Sequence, residues 1–133
     1  VFAKDEDGAK DWSTLKLKRV WKVSTGREAI EDHNGGVVQT STPVGLFQLN
    51  PNRMFVKYRS IIWDADMPYA MFFSPRGLAI HGSYERGLGR PRSHGCVRLP
   101  LEFSKLLFTV THIGTPVIIA ERRSWAKRSI IVR

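Results

Sequence analysis

The sequence predicts a mostly β-structured domain with a single helix. Short apolar runs separated by glycine and proline recur along the chain, and residues 15–18 and 21–23 alternate apolar with basic side chains, as half-exposed strands do. One segment has helical spacing instead, because its apolar residues form one stripe after Pro100, and proline suits a first helical turn. That stripe consists of Phe103, Leu106, Leu107 and Val110.

The remaining elements are predicted in chain order from the same signals. Residues 28–36 are polar and contain an Asn-Gly-Gly turn signal, so we expect a loop there. A proline and a glycine at residues 74–77 predict a turn between two buried strands. The predicted strands are residues 46–49, 54–58, 61–63, 70–73, 78–80 and 115–120, with 54–58 and 61–63 in a hairpin and 115–120 buried.

Length and composition are typical of one soluble globular domain. The chain has 133 residues, of which 42% are hydrophobic and 25% charged. No apolar run approaches the length of a membrane span, and residues 1–5 carry no signal-peptide pattern, so the N-terminus gives no indication of compartment. We expect a lead-in at residues 1–14, the folded domain at 15–120 and a basic tail at 121–133.

The net charge of +9 favours an anionic partner. A cell-wall polymer, a membrane surface and a nucleic acid all fit such a charge. The chain has no zinc-finger or RNA-binding aromatic motif, so we expect no nucleic-acid partner and interpret most of the charges as a solvated surface. A non-catalytic basic module that binds wall polymer or nucleic acid stays open as an alternative.

Residues 80–98 combine the residue types of a nucleophilic site. Cys96 is the only cysteine, and His81 and His94 are two of the four histidines. An imidazole can take the proton of a thiol and so generate the nucleophilic thiolate. Gly95 leaves room for a carbonyl to approach, the backbone N–H groups of Gly95 and Cys96 could bind an oxyanion, and His94 is a second candidate donor.

Structural interpretations compete with this one. A single cysteine is often a small buried hydrophobic residue, and a single histidine often has only a structural role. We interpret His33 as a surface histidine and His112 as structural. His94 and Cys96 could chelate zinc, but the chain has no second cysteine and structural zinc takes four ligands. Asp64 and Asp66 are interpreted as loop residues. We therefore expect no metal and no cofactor.

Five ordered motifs resemble the catalytic domain of the L,D-transpeptidases, the YkuD-type family. Ser93-His94-Gly95-Cys96 followed by Val97-Arg98 resembles the family's nucleophile signature, with arginine where other members have asparagine. The other matching stretches are Val23-Ser24-Thr25-Gly26, Thr42-Pro43-Val44-Gly45-Leu46-Phe47, Met67-Pro68-Tyr69 with Gly77-Leu78-Ala79-Ile80-His81-Gly82, and Gly114-Thr115-Pro116-Val117. The resemblance implies a β-sandwich or barrel, with one helix packed after the nucleophile loop.

The resemblance also implies a cysteine acyltransferase. Cys96 would be the nucleophile and His81 the base, oriented by the carbonyl of Gly82. His94 and Gly95 would assist at the oxyanion, and Tyr69 would line the substrate groove. Arg98, or Arg92 or Arg90, could pair with a substrate carboxylate, whereas for Ser93 we favour a hydrogen-bonding role in the loop.

Peptidoglycan stem peptides are the substrate that the resemblance implies. A tetrapeptide stem would lose D-alanine and be joined to a second stem in a 3→3 cross-link, or to a lysine of an anchored wall protein. Water as acceptor would make the enzyme a carboxypeptidase, and hydrolysis of existing cross-links would use the same thiol. The resemblance further implies carbapenem inhibition and a location in the periplasm or cell envelope.

Overall fold

The computed structural model describes residues 2–3, 16–17, 21–27, 29–111 and 114–120. Two compact units divide the chain, one of residues 22–119 and one of residues 1–21 with 120–133. In the second unit, β1 (Phe2–Ala3) pairs antiparallel with β2 (Lys16–Leu17). The predicted basic tail and residues 4–14 of the predicted lead-in lie outside the described residues.

A four-stranded sheet forms the centre of the larger unit. Its order is β11 (Val97–Pro100), β10 (Ala79–Ser83), β9 (Ala70–Phe72) and β6 (Met54–Phe55). The β10–β11 pair is parallel and the other two pairs are antiparallel. All three residues of β9 are buried, because the strand lies inside the sheet and both its faces are covered.

The larger unit also contains three two-stranded ribbons. They are β3 (Ile30–His33) with β4 (Gly36–Gln39), β5 (Gly45–Gln48) with β12 (Pro116–Ile119), and β7 (Arg59–Ser60) with β8 (Ala65–Asp66). Within the described residues the sheets are sandwich-like and do not close into a barrel, so the mostly-β prediction is confirmed in its sandwich form. In the same part of the chain, no helix is long and apolar enough to cross a membrane.

The predicted helix is present as α1 (Leu101–Val110), directly after β11. It packs on β10 and β11 and buries Leu107 and Ser104. Val110, predicted to lie on the apolar stripe, is instead 54% exposed and is the last residue of the helix. His112 lies outside the described residues.

Several predicted elements differ from the structure. Residues 61–63 form a turn rather than a strand, since Arg59 binds both Asp64 and Asp66 across it. Most of the predicted polar loop is the β3–β4 hairpin, with Asn34 and Gly35 at its tip. The strand predicted at 54–58 is limited to β6, which pairs with β9 and not with the 61–63 segment. The β12 strand alternates exposed and half-buried residues instead of being buried throughout.

Candidate active site

The segment that holds Cys96 is fixed by backbone pairing with residues 24–27. Ser24 and Arg98 exchange two backbone hydrogen bonds, of 3.0 and 2.8 Å. The N–H groups of Arg92 and Ser93 both donate to the Thr25 carbonyl, at 2.9 and 3.0 Å. Backbone hydrogen bonds therefore hold the nucleophile loop on both sides of Cys96, at residues 92–93 and at Arg98.

Ser93 and Gly95 shape the tight bend before the cysteine. The buried Ser93 hydroxyl donates to the Cys96 carbonyl and accepts from the Gly95 N–H at 3.0 Å. Gly95 has a φ of +122°, and a Cβ there would lie 2.8 Å from Cδ2 of Leu78. Ser93 thus has the loop hydrogen-bonding position that we favoured. The Gly95 N–H, expected to face an oxyanion, is bonded to Ser93 instead.

Cys96 lies at the edge of the core. Its half-buried side chain packs against a cluster of Met67, Ala70, Phe72 and Ala79, and the Ala79 N–H donates to Sγ at 3.4 Å. Burial raises the pKa of the Cys96 thiol, while the Ala79 N–H and the charge of Arg98 act in the opposite direction. The resting group is therefore a protonated thiol at neutral pH.

His81 lies in β10, paired in register with Arg98 of β11. Its side chain is buried, and Nδ1 lies 2.7 Å from the carbonyl oxygen of Gly82. A carbonyl can only accept, so Nδ1 carries the proton and Nε2 has the lone pair. Burial lowers the pKa of His81 to about 4, with the Gly82 carbonyl opposing this shift and the charge of Arg98 adding to it. His81 is therefore a neutral imidazole.

His94 is held from two directions. Its ring stacks on the indole of Trp63, with centroids 3.7 Å apart and planes 5° from parallel. Nε2 accepts from Arg27 Nη2 at 2.7 Å, since a guanidinium can only donate, and Arg27 is itself bound to Glu31 at 3.2 Å. Trp63 lies in the turn between β7 and β8, so this stack joins that turn to the nucleophile loop.

A cavity of about 900 Å³ opens beside these residues. Its lining includes Cys96, His81, His94 and Ser93 together with the turn between β7 and β8. The structure therefore gathers at one cavity the groups predicted for nucleophilic chemistry. Gly82 does not line the cavity, but its carbonyl bonds to Nδ1 of His81.

Only some of the predicted substrate-binding residues line this cavity. Arg98 lines it, but its Nη1 already bonds to both carboxylate oxygens of Glu85, at 3.2 Å each. Tyr69 does not line the cavity: its ring packs on Phe108 of α1, with centroids 5.7 Å apart. Arg92 is exposed and lies outside the lining, as does Arg90.

Sequence reasoning missed Arg27, Glu85 and Trp63. All three contact predicted site residues, but they come from segments that were interpreted as loop or strand. Glu85 lies within the 80–98 segment itself, whereas only the tertiary fold brings Arg27 and Trp63 to the site, so no local spacing could have identified those two. The aromatic Trp63 beside two acidic residues was the one available signal.

Fold and site together define a mostly-β domain in which a half-buried cysteine and a buried histidine line one cavity. The family model of the YkuD L,D-transpeptidase catalytic domain matches residues 9–119. That match covers most of the sequence, and the chain therefore belongs to the L,D-transpeptidase catalytic-domain family.

Solved structures are similar in fold. An L,D-transpeptidase from Xylanimonas cellulosilytica is 28% identical with a TM-score of 0.67, and covers 77% of this chain and 50% of its own. One from Mycobacterium tuberculosis is 29% identical with a TM-score of 0.57, covering 76% and 42%. L,D-transpeptidase 3 from M. tuberculosis, in complex with a faropenem-derived adduct, is 24% identical with a TM-score of 0.57, covering 89% and 48%.

The chain thus spans about half the length of the solved structures that it resembles. A comparison with curated protein sequences gave no match.

Proposed function

We propose that this domain is a cysteine acyltransferase, an L,D-transpeptidase acting on peptidoglycan tetrapeptide stems. The observation that carries the proposal is the fixed tautomer of His81, whose Nδ1–H bonds to the Gly82 carbonyl while the ring faces the cavity that also exposes Cys96. Membership of the family supports the reaction and the substrate class. Residues 15–120 would form the catalytic domain, with residues 1–14 and 121–133 as its flanks.

The first half-reaction forms a thioester. Nε2 of His81 takes the thiol proton as Sγ of Cys96 attacks the carbonyl of the third stem residue. The carbon–nitrogen bond to the terminal D-alanine then breaks, and the proton passes from His81 to the leaving amine. In the second half-reaction an acceptor amine attacks the thioester, a new amide forms and the thiol is restored.

Proton transfer is coupled to attack in this scheme. The pKa of His81 is lowered to about 4 and that of Cys96 is raised, so a thiolate–imidazolium pair is disfavoured in the resting site. A neutral pair avoids two buried charges before substrate arrives. Charge develops on the substrate oxygen instead, where preorganised donors stabilise it.

The oxyanion donors are the Cys96 N–H and His94. The Gly95 N–H is committed to Ser93, which leaves the Cys96 N–H as the remaining backbone donor of the predicted pair. Arg27 donates to Nε2 of His94, so a neutral His94 carries its proton on Nδ1. Trp63 stacking limits rotation of that ring and keeps the donor preorganised.

The product spectrum tests the function. Wild-type protein incubated with a defined tetrapeptide stem is expected to release D-alanine and to form a cross-linked dimer, whereas Cys96→Ala protein does neither. Release of D-alanine with tripeptide as the only other product would identify a carboxypeptidase. Untouched peptides with cleaved wall sacculi would identify a cross-link hydrolase. No reaction with either substrate would favour the remaining alternative, a non-catalytic basic binding module.

Two further expectations belong to this proposal. Carbapenems would acylate Cys96; M. tuberculosis L,D-transpeptidase 3 has been solved in complex with an adduct derived from faropenem, a penem of the same β-lactam class. The substrate lies outside the cytoplasmic membrane, so the protein would work in the periplasm or cell envelope. An anchored wall protein with an exposed lysine is the alternative acceptor, distinguished by supplying such a protein in the same assay.

A further inference from the structure

The cavity wall carries four guanidinium groups, and two of them already have carboxylate partners. Arg59 binds Asp64 and Asp66, each at 2.7 Å, and Arg98 binds Glu85 at 3.2 Å. The other two are Arg53 and Arg76. Within the part of the chain that the structure describes, no carboxylate lies at ion-pair distance from either. An anionic ligand in this cavity would therefore meet two arginines that are not already neutralised.

The guanidinium group of Arg53, unlike that of Arg76, is oriented by a contact with an aromatic ring. Its Cζ lies 4.2 Å from the centroid of the Phe72 ring. A guanidinium stacked on an aromatic face keeps its N–H groups in its own plane, where they can bond to a carboxylate. Arg76 is an exposed residue in the turn between β9 and β10, and its N–H bonds only to the Ser74 hydroxyl beside it.

The Phe72 platform is itself rigid. Phe72 is 2% exposed, and its ring makes edge contacts with Tyr58 at 5.0 Å and with Phe55 at 6.2 Å. The backbone of Arg53 is fixed as well, because its N–H donates to the Asn50 carbonyl at 3.0 Å and closes a short 3-10 turn. Little side-chain freedom remains to be lost when Arg53 binds an anion.

Arg53 and the thiol lie on the same wall. Cys96 packs against the apolar cluster that includes Phe72, and Arg53 stacks on that same ring. Both residues, with Tyr58 and Phe72, line the one cavity. A substrate whose carbonyl lies at Cys96 therefore occupies a cavity that also contains an oriented cationic group.

We propose that Arg53 is the specificity residue that binds a carboxylate of the peptide stem. This proposal rests on the proposed function, since a stem is the ligand considered. Guanidinium–carboxylate pairing is bidentate and charge-assisted, so Arg53 would bind a carboxylate more tightly than an uncharged carboxamide of the same shape. The carboxylate is either that of the terminal D-alanine or one on the side chain of the third residue.

The test measures binding to Cys96→Ala protein, which cannot turn the stem over. Three synthetic tetrapeptides are compared by calorimetry: the free stem, the stem with a C-terminal carboxamide, and the stem with a side-chain carboxamide at the third residue. Amidating the carboxylate that Arg53 binds is expected to weaken binding about 10- to 100-fold. Arg53→Gln should weaken binding of the free stem by the same factor and leave the matching carboxamide peptide unaffected.

Two variants serve as controls. Arg76→Gln removes the other uncommitted guanidinium of the cavity and is expected to leave the carboxylate preference intact. Arg53→Lys keeps a positive charge over Phe72 without the planar fork, so it should show an intermediate preference for the carboxylate. It also shows whether a loss of binding in Arg53→Gln comes from the lost charge or from a folding defect.

Three outcomes overturn the proposal. Arg53→Gln could retain the full carboxylate preference, or the preference could be lost in Arg76→Gln or Arg98→Gln instead. All three peptides could also bind Cys96→Ala protein equally well, which would reject Arg53 as a specificity residue while leaving the proposed function in place. Failure of every peptide to bind would reject the proposed substrate as well, so the two failures are distinguishable.

Discussion

Nδ1 of His81 and the carbonyl oxygen of Gly82, the next residue in the chain, lie 2.7 Å apart. This contact fixes the imidazole tautomer, because the carbonyl needs a donor and Nδ1 must supply it. Adding a side chain at Gly82 would crowd Leu101 and Ser104 of α1, so the helix that follows the nucleophile loop also restricts residue 82 to glycine. The fold itself thus supplies the group that orients the base.

Replacing His81 with glutamine is expected to remove general-base catalysis while keeping a polar side chain of similar length. The predicted loss in kcat is about 10²- to 10⁴-fold, with KM little changed. Stopped assays of D-alanine release on wild-type and variant protein give both constants. Activity of His81→Gln near the wild-type level would exclude His81 as the base.

Stability should fall as the pH falls from about 6.5 towards 4. The folded state holds His81 neutral with a pKa of about 4, against the ordinary 6.5, so in this window the unfolded chain binds more protons. The contribution lost by pH 4 is at most about 3 kcal/mol. Urea unfolding at pH 7.5 and 4.5 measures it, and His81→Gln should flatten this part of the profile. An equal pH response in both proteins would contradict the low pKa.

The reactivity of Cys96 should follow the charge of Arg98. Burial raises the pKa of Cys96 and Arg98 partly offsets this, so Arg98→Gln is expected to move the midpoint of iodoacetamide alkylation to still higher pH. Arg90→Gln is the matched control, since Arg90 lies in the same loop but outside the cavity. A midpoint unchanged in Arg98→Gln, or shifted equally in Arg90→Gln, would rule out this electrostatic link.

Gly95→Ala should destabilise the domain by about 1–3 kcal/mol. Its positive φ disfavours a side chain, and the new Cβ would lie 2.8 Å from Leu78. Gly35→Ala is the control for the φ effect alone, because Gly35 has a φ of +79° at a hairpin tip with no neighbour within 4 Å. Chemical denaturation of both variants compares the two costs, and equal losses would show that the Leu78 contact is unimportant.

Trp63→Ala should release the His94 ring. The indole lies 3.7 Å from the imidazole, so its ring current shifts the His94 ring protons upfield, and the variant should lose that shift. Removal of the aromatic pair should cost about 0.5–1.5 kcal/mol of stability. Trp63→Phe should keep part of both effects. His94 resonances unchanged in Trp63→Ala would mean that the stack is absent in solution.

The parts of the fold that were predictable carry strong local signals. Helix α1 combines Pro100 with an apolar stripe, and the turn at 74–77 is marked by proline and glycine. The Asn34–Gly35 pair was noted as a turn signal, yet the hairpin around it was missed because its strands have exposed Ile30 and Val37 and little apolar alternation.

The missed features depend on tertiary contacts. Residues 61–63 have the composition of a strand, but Arg59 bridging Asp64 and Asp66 folds them into a turn. Tyr69 has a φ of +53° and packs its ring on Phe108, a conformation that its motif did not indicate. The motif around Cys96 and His81 indicated the chemistry, whereas the two partners of His94, Arg27 and Trp63, come from distant segments.

The most direct test of the central claim, that Cys96 is the acylated nucleophile, is intact-protein mass spectrometry after incubation with a carbapenem, followed by peptide mapping. A single stoichiometric adduct on Cys96 is expected, absent from Cys96→Ala and slower to form in His81→Gln. An unmodified protein, or an adduct on another residue that persists in Cys96→Ala, would contradict the account.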